Sequence, residues 1–190
     1  MTHRVSMTIN RDESLRLVRL HVSKENNVKH MIAVGAAMKR VALRLGEDHE
    51  KWEIVGILHD IDFEICSGPA DHTIKAEEML LETVDREVVE AIQAHNYENT
   101  KVPVDTTLKK ALLACDAVSG LIIACALVMP SKSLAEVRPE TLMKKHNSKD
   151  FARNVNRDRI AMCGGLGITL EEFLSLSLEG MKAVSNELGL

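Results

Sequence analysis

Aromatic side chains are scarce in this chain of 190 residues: three Phe, one Tyr and one Trp, or 3 %. The core must therefore be built from Leu, Ile, Val, Ala and Met, and aliphatic interiors of that kind suit packed helices. Proline occurs only four times, and no Asn-Gly hairpin separates alternating strands. There is no long basic run, and the formal net charge is −4. Both argue against a nucleic-acid partner, although a mild acidic balance leaves phosphate chemistry open, because a local pocket or a bound cation sets the field there. None of the four cysteines, Cys66, Cys115, Cys125 and Cys163, stands in a Cys-x-x-Cys pair. They read as reduced thiols of a cytoplasmic protein. The N-terminus lacks the apolar core of a signal peptide. The longest apolar run, near residues 121–129, is short of the roughly 20 residues a bilayer span takes, so no membrane partner is expected.

What is present reads as helix after helix. The length fits one domain with a single core, and residues 1–9 read as a loose tail. Asn10 with Glu13 forms a capping box for a helix over about 11–22. A second helix runs from Asn26 or Asn27 to Leu45, where Gly46 stops it, and carries His30 in its first turns. Asp48 caps a third, in which Trp52, Val55 and His59 share one face. After a loop over 62–70, Asp71 is expected to cap a helix to about Glu82 with His72 in its first turn. Asp85 opens the next, Arg86–His95. The longest helix, from Asp105 or Thr106 to about Val128, is rich in Ala, Ser and Gly and holds Asp116 at its middle. Short helices are expected near 139–146, 148–153 and 156–164, and Thr169 with Glu172 caps a last one over 170–188. The fold class is all-α: a single domain over 1–190 with a core at about 25–165 and a C-terminal helical extension.

One stretch organises the rest: Gly56-Ile57-Leu58-His59-Asp60-Ile61-Asp62. A histidine in the core with a carboxylate beside it is costly unless something compensates, and a cation would compensate both. His30 before it and Asp116 after it complete an H…HD…D set from three helices. Mixed imidazole and carboxylate ligands admit several divalent metals, with Mn, Fe, Mg, Zn, Ni and Co all open. Such an ion can lower the pKa of a bound water and polarise a phosphoryl oxygen. Taken singly, each of these residues has an ordinary explanation; the joint pattern carries the case.

The set resembles the HD-domain superfamily of metal-dependent phosphohydrolases. Asp71-His72-Thr73-Ile74-Lys75-Ala76-Glu77, Ala94-His95-Asn96 and Pro130-Ser131-Lys132-Ser133-Leu134 are further similar to small stand-alone bacterial and archaeal HD hydrolases. The resemblance spans about residues 25–165. It implies an all-helical bundle in which His30, His59, Asp60 and Asp116 bind a divalent metal. His72 and His95 stand where some HD proteins hold a second metal, with Asp60 bridging, so one or two ions per chain are implied. The chain lacks the Gly-Tyr-Pro and Gly-Lys motifs of the cyclic-di-nucleotide phosphodiesterase branch.

The expected activity is attack of a metal-bound hydroxide on a small phosphomonoester or nucleotide. Asp60, Asp62 and Lys132 are the candidate catalytic residues, with Asp62 or Glu64 as proton carrier. Lys132, then Arg153 and Arg157, are the candidate phosphate contacts. Two alternatives stay open: a non-catalytic metal- and nucleotide-binding regulatory module, and a di-iron HD oxygenase. The sequence is compatible with a homo-oligomer.

Overall fold

The structure, a computed structural model, describes residues 9–190, and among them there is no β-strand. Eleven α-helices follow one another, joined by turns and two short 3-10 segments. The tail expected over 1–9 lies outside the described residues except for Ile9, which is buried in the core.

Helix α1, Arg11–His21, starts at the expected capping box, with Asn10 and Glu13 bonding each other's backbone. Helix α2, Glu25–Leu45, ends on Gly46 in the left-handed conformation. Helix α3, His49–Leu58, is capped by Asp48, whose side chain accepts from the Lys51 amide. Helices α2 and α3 form the most extensive pair in the molecule. They cross at two glycines: a Cβ on Gly56 would stand 2.6 Å from the Gly35 Cα, and one on Gly35 would stand 2.7 Å from the Ile57 Cγ1. Only backbone against backbone fits there, and this close crossing brings the start of α2 to the end of α3.

Helix α4 is Ile74–Leu80, α5 is Arg86–His95 and α6 is the single turn Tyr97–Thr100. Helix α7, Thr107–Leu127, is capped by Thr106 and lies at the centre of the bundle. It touches α2, α5, α3 and the C-terminal helices α8 (Pro139–Asn147), α9 (Arg157–Ala161) and α10 (Leu170–Ala183). By length and composition α7 is apolar enough to cross a membrane, but 61 % of its most apolar window is buried inside the protein, as befits a core helix. Helix α11, Ser185–Leu188, follows a break at Val184.

Three local expectations are corrected. Helix α4 begins at Ile74 rather than after Asp71, because Thr73 takes a positive φ of 66°. Asp71 instead accepts from the amides of Ser67 and Gly68, closing the preceding turn. Residues 148–153 are turns, not helix, with Ala152 at φ 45°. The segment after α9 passes through Gly164-Gly165 as a 3-10 helix and stops at Gly167, whose φ is 76°.

Candidate metal centre

Five elements deliver the site. His30 comes from the second turn of α2. His59 and Asp60 leave the end of α3. His72 sits in the turn ahead of α4, His95 is the last residue of α5, and Asp116 lies midway along α7. The imidazoles form a row, with ring centroids 5.1 Å apart for His30 and His59, 5.0 Å for His59 and His95, and 5.4 Å for His95 and His72.

The carboxylates lie against this row. Asp60 Oδ2 is 3.5 Å from His59 Nε2 and 3.9 Å from His30 Nε2, while its Oδ1 is 3.3 Å from His72 Nε2. Asp116 Oδ1 is 3.2 Å from His30 Nε2 and 3.9 Å from His59 Nε2, and its Oδ2 is 3.1 Å from His95 Nε2. Ligands bound at about 2.1 Å and separated by about 90–110° are roughly 3.0–3.4 Å from one another. The observed spacings are at or a little above that range. The residues divide into overlapping groups able to surround a cation: His30, His59 and Asp60; His59, His95 and Asp116; and Asp60, His72 and His95. Asp60 turns one oxygen to each end of the row.

The fit to a metal rests on atoms otherwise left without a partner. His59 is fully buried, and its Nε2 has no hydrogen bond; Asp60 Oδ1 has only the approach of His72 Nε2 at 3.3 Å. Leaving buried polar atoms unpaired is costly, and a cation between them removes that cost. The donor set of imidazole nitrogens and carboxylate oxygens is that of a divalent-metal site.

Supporting groups fix which nitrogen faces the centre. His59 Nδ1 donates to the Gly56 carbonyl at 2.8 Å, which leaves Nε2 as the inward lone pair. The Ser119 hydroxyl donates to the Asp116 carbonyl at 2.8 Å and lies 3.2 Å from His30 Nδ1, whose proton it accepts. His72 Nδ1 donates to Asp62 Oδ1 at 2.9 Å. Partners of this kind orient metal-ligating histidines and set their tautomers. Asn96 adds a tie from α5, donating to the carbonyls of Pro69 and His72.

Protonation follows the same geometry. Burial, with His95 and His30 close by, holds the His59 imidazole down at about 4, so it stays neutral and able to ligate. Burial works against a charge on His72 too, but Asp60 and Asp62 on its two nitrogens lift it to about 9. Burial alone would raise Asp116 and Asp60. Instead, hydrogen bonds from His30 and His95 hold Asp116 below the usual carboxylate range, and His59 and His72 do the same for Asp60. The pocket is built to gather positive charge around two ionised carboxylates.

The other expected site residues fall elsewhere. Asp62 is fully buried. Its oxygens accept from His72, from the Thr73 amide at 2.7 Å and from the Ala76 amide at 3.0 Å. With both oxygens so committed it has no face to water, and its position behind His72 is that of an orienting group rather than a proton carrier. Glu64 is also committed, accepting from Ser23, Lys24 and Asn27 at the start of α2. Lys132 is exposed, in a turn beyond the end of α7. Asp116 lies eleven residues before that end, about 16 Å along the axis, so the structure does not bring Lys132 to the centre. Arg153 is exposed. Arg157 points away, its guanidinium donating to the carbonyls of Ala152, Val155 and Phe151 and so holding the irregular 148–155 segment together.

The cation that does reach the centre is Arg159. Its Nη1 is 3.8 Å from Asp116 Oδ2, its Nη2 is 3.0 Å from both Glu98 oxygens, and its guanidinium lies 5.8 Å from the centre of the Tyr97 ring. A run containing Arg153, Arg157 and Arg159 carries no sequence signal of which one faces inward. Ser119 and the Gly56 carbonyl carry no such signal either.

The four cysteines are free thiols, and burial raises those of Cys66, Cys115, Cys125 and Cys163. Cys66, pushed up to about 12, lies beside Asp62 and His72 but outside the main cluster.

No curated protein and no solved structure matches the chain. The family model of the HD domain matches residues 27–121, half of the chain, running from the start of α2 to Leu121 in α7 and enclosing all six clustered residues. The chain belongs to the HD-domain family, a group made up mostly of metal-dependent phosphohydrolases whose members bind divalent metals.

Proposed function

We propose that the protein is a metal-dependent phosphohydrolase acting on a small phosphomonoester or nucleotide. One observation carries the reading: His30, His59, Asp60, His72, His95 and Asp116 converge in three overlapping ligand groups, with a guanidinium beside them at Asp116. His30, His59, Asp60 and Asp116 would hold one divalent ion, and Asp60, His72 and His95 a second. When bound, such ions supply a water of lowered pKa and draw off charge from the phosphoryl oxygens.

The remaining steps belong to the chain's own residues. Arg159 meets the phosphate as a planar donor. Glu98 and Tyr97 hold that guanidinium in place. Asp62, Ser119 and the Gly56 carbonyl keep three imidazoles aimed at the centre, and the buried wall of α3 and α7 excludes bulk water behind them.

The test is metal content by plasma mass spectrometry, followed by phosphate release across a broad panel of phosphate esters, with Asp60→Ala beside the wild type. One or two equivalents of a divalent metal are expected in the wild type and their loss in the variant. Phosphate release should fall by at least about a hundredfold with them. A metal-loaded protein that hydrolyses none of the panel would leave the site as a binding module, or, if the metal is iron and oxygen is consumed, as an oxygenase.

A further inference from the structure

A cleft of about 330 Å³ opens beside the metal centre, with His30 and Asp116 on one side and Asn154, Asn156 and Arg159 on the other. Arg159 brings the guanidinium to this cleft, and Asn156 stands three residues before it, in the same wall.

Asn156 is the N-cap of α9. Its Oδ1 accepts from the Asp158 amide at 3.0 Å and from the Arg159 amide at 3.1 Å. A carboxamide has an acceptor end and a donor end, and its bonding decides which way each is turned. With Oδ1 held on two helix amides, Nδ2 is the end left over, and among the described residues none accepts from it. The backbone leading into the cap is held as well, because Arg157 donates to the carbonyls of Ala152 and Val155. Asn154, in the same wall, has no such tie, so either end of its amide can turn to the cleft.

The cap residue and the third residue of a helix lie side by side, which is how a glutamate at the third position reaches back in a capping box. In α9 the third residue is Arg159. Its side chain reaches out instead: Nη2 is 3.0 Å from both Glu98 oxygens, and Nη1 stands 3.8 Å from Asp116 Oδ2, beyond hydrogen-bond reach. The two residues are locked together, since the Arg159 amide is one of the two that fix Asn156 Oδ1. Each then has a donor to spare, Nδ2 on one and Nη1 on the other, and both side chains line the one cleft. A donor oriented before its ligand arrives loses little freedom on binding. A neutral amide also adds a hydrogen bond without adding a further positive charge beside the ions.

We propose that Asn156 is a substrate-binding residue: its Nδ2 donates to a phosphoryl oxygen of the ester that Arg159 grips, so that the cap and the third residue of α9 form a two-donor clamp on one phosphate. The proposal rests on the phosphohydrolase reading above and adds a second contact to it.

Cap and donor can be separated by substitution. Serine and aspartate cap helices as well as asparagine does. The serine hydroxyl is short and spent on the helix amides, and aspartate puts a carboxylate oxygen where Nδ2 stood. The full-length, metal-loaded wild type is compared with Asn156→Ser, Asn156→Asp and Asn156→Ala. The readouts are thermal melting, metal content, calorimetric titration with inorganic phosphate, and kcat and KM on the ester of the panel that the wild type hydrolyses fastest. Asn156→Ser and Asn156→Asp should melt within a few degrees of the wild type and keep its metal content, whereas Asn156→Ala, with no cap, should melt lower. Both capped variants should bind phosphate about tenfold more weakly or worse. Their KM should rise by a similar factor, more than kcat falls, and Asn156→Asp should be the weaker of the two. Wild-type phosphate affinity and KM in the capped variants, with a defect in Asn156→Ala alone, would make Asn156 a cap and nothing more. That result would overturn the proposal and leave the hydrolase reading standing. If no ester is turned over, the hydrolase reading falls by itself and the phosphate titration still decides the role of Asn156. A wild type that neither binds phosphate nor releases it would remove both.

Discussion

Asp62 lies behind His72 and touches no other residue of the centre, yet the site depends on it. It is buried, it accepts from His72 Nδ1, and it ties that contact to the amides of Thr73 and Ala76. In Asp62→Asn the side chain keeps its shape and the helix bonds can survive, but the ionised partner of His72 is gone. Metal affinity should fall about 10–100-fold with the fold intact, as read by calorimetric metal titration beside circular dichroism. Undiminished affinity would mean that His72 takes no part in coordination. Glu64 makes a different prediction. Hydrogen bonds from Ser23, and then from the Lys24 amide, hold its carboxyl down at about 2. The folded group keeps its charge where the unfolded one, near the ordinary 4.5, has begun to bind a proton. Its contribution is therefore present above about pH 4.5 and fades as the pH falls toward 2. Glu64→Gln should melt a few degrees below the wild type at pH 7, and the gap should narrow steadily between pH 5 and pH 3. A gap that does not change with pH would show that the charge is not what matters. His59 and Asp60 could be read from the sequence because a charged pair interrupts an apolar run. Arg159 could not, because its side chain faces the cleft only through the path of residues 148–156, which Arg157 fixes through backbone carbonyls.

At the scale of elements, the crossing of α2 and α3 sets the distance between His30 and the His59-Asp60 pair. Alanine normally improves a helix interior, but a methyl on Gly56 would sit 2.6 Å from the Gly35 Cα. Backbone cannot yield as a side chain tip would, so the helices must separate. Gly56→Ala should cost about 1–3 kcal/mol, as overpacked cores do, despite its higher helix propensity. Denaturant unfolding would measure it, and a stabilised variant would mean that the crossing is looser than the structure has it. The helices themselves were legible where a cap and a period agree: Asn10 with Glu13, Asp48, Thr106 and Thr169 all accept from helix amides as expected. Legibility failed where tertiary contacts decide. Asp71 has the chemistry of a cap, but the Asp62 carboxylate takes the amides of Thr73 and Ala76, so the helix starts later and His72 is left in the turn that aims it at Asp60.

Over the whole molecule, the chain is stapled at both ends and hollowed of partners at its centre. Arg11 joins α1 to Glu53 of α3 at 3.0 Å and to Glu187 of α11 at 2.8 Å, closing the termini around α2. The aliphatic core runs without a break through α2, α3, α5, α7 and α10. That core is enough to specify a bundle, and its all-helical character followed from composition and period alone. The centre is different. Two carboxylates and four imidazoles face one another there, with His59 Nε2 buried and unbonded. These groups come together only in the folded chain, so a cation that binds them binds the native state alone. Its free energy then adds to stability as RT ln(1 + [L]/Kd), about 2.7 kcal/mol at a hundredfold excess over Kd. For a domain of this size that corresponds to roughly 5–10 °C in melting temperature. Treating the metal-loaded wild type with a chelator should lower its melting point by that amount, and adding the metal back should restore it. Asp60→Ala loses the carboxylate shared by two of the three ligand groups, and its melting point should respond far less to either treatment. A wild type equally indifferent to chelator and metal would mean that the six residues stabilise one another without an ion.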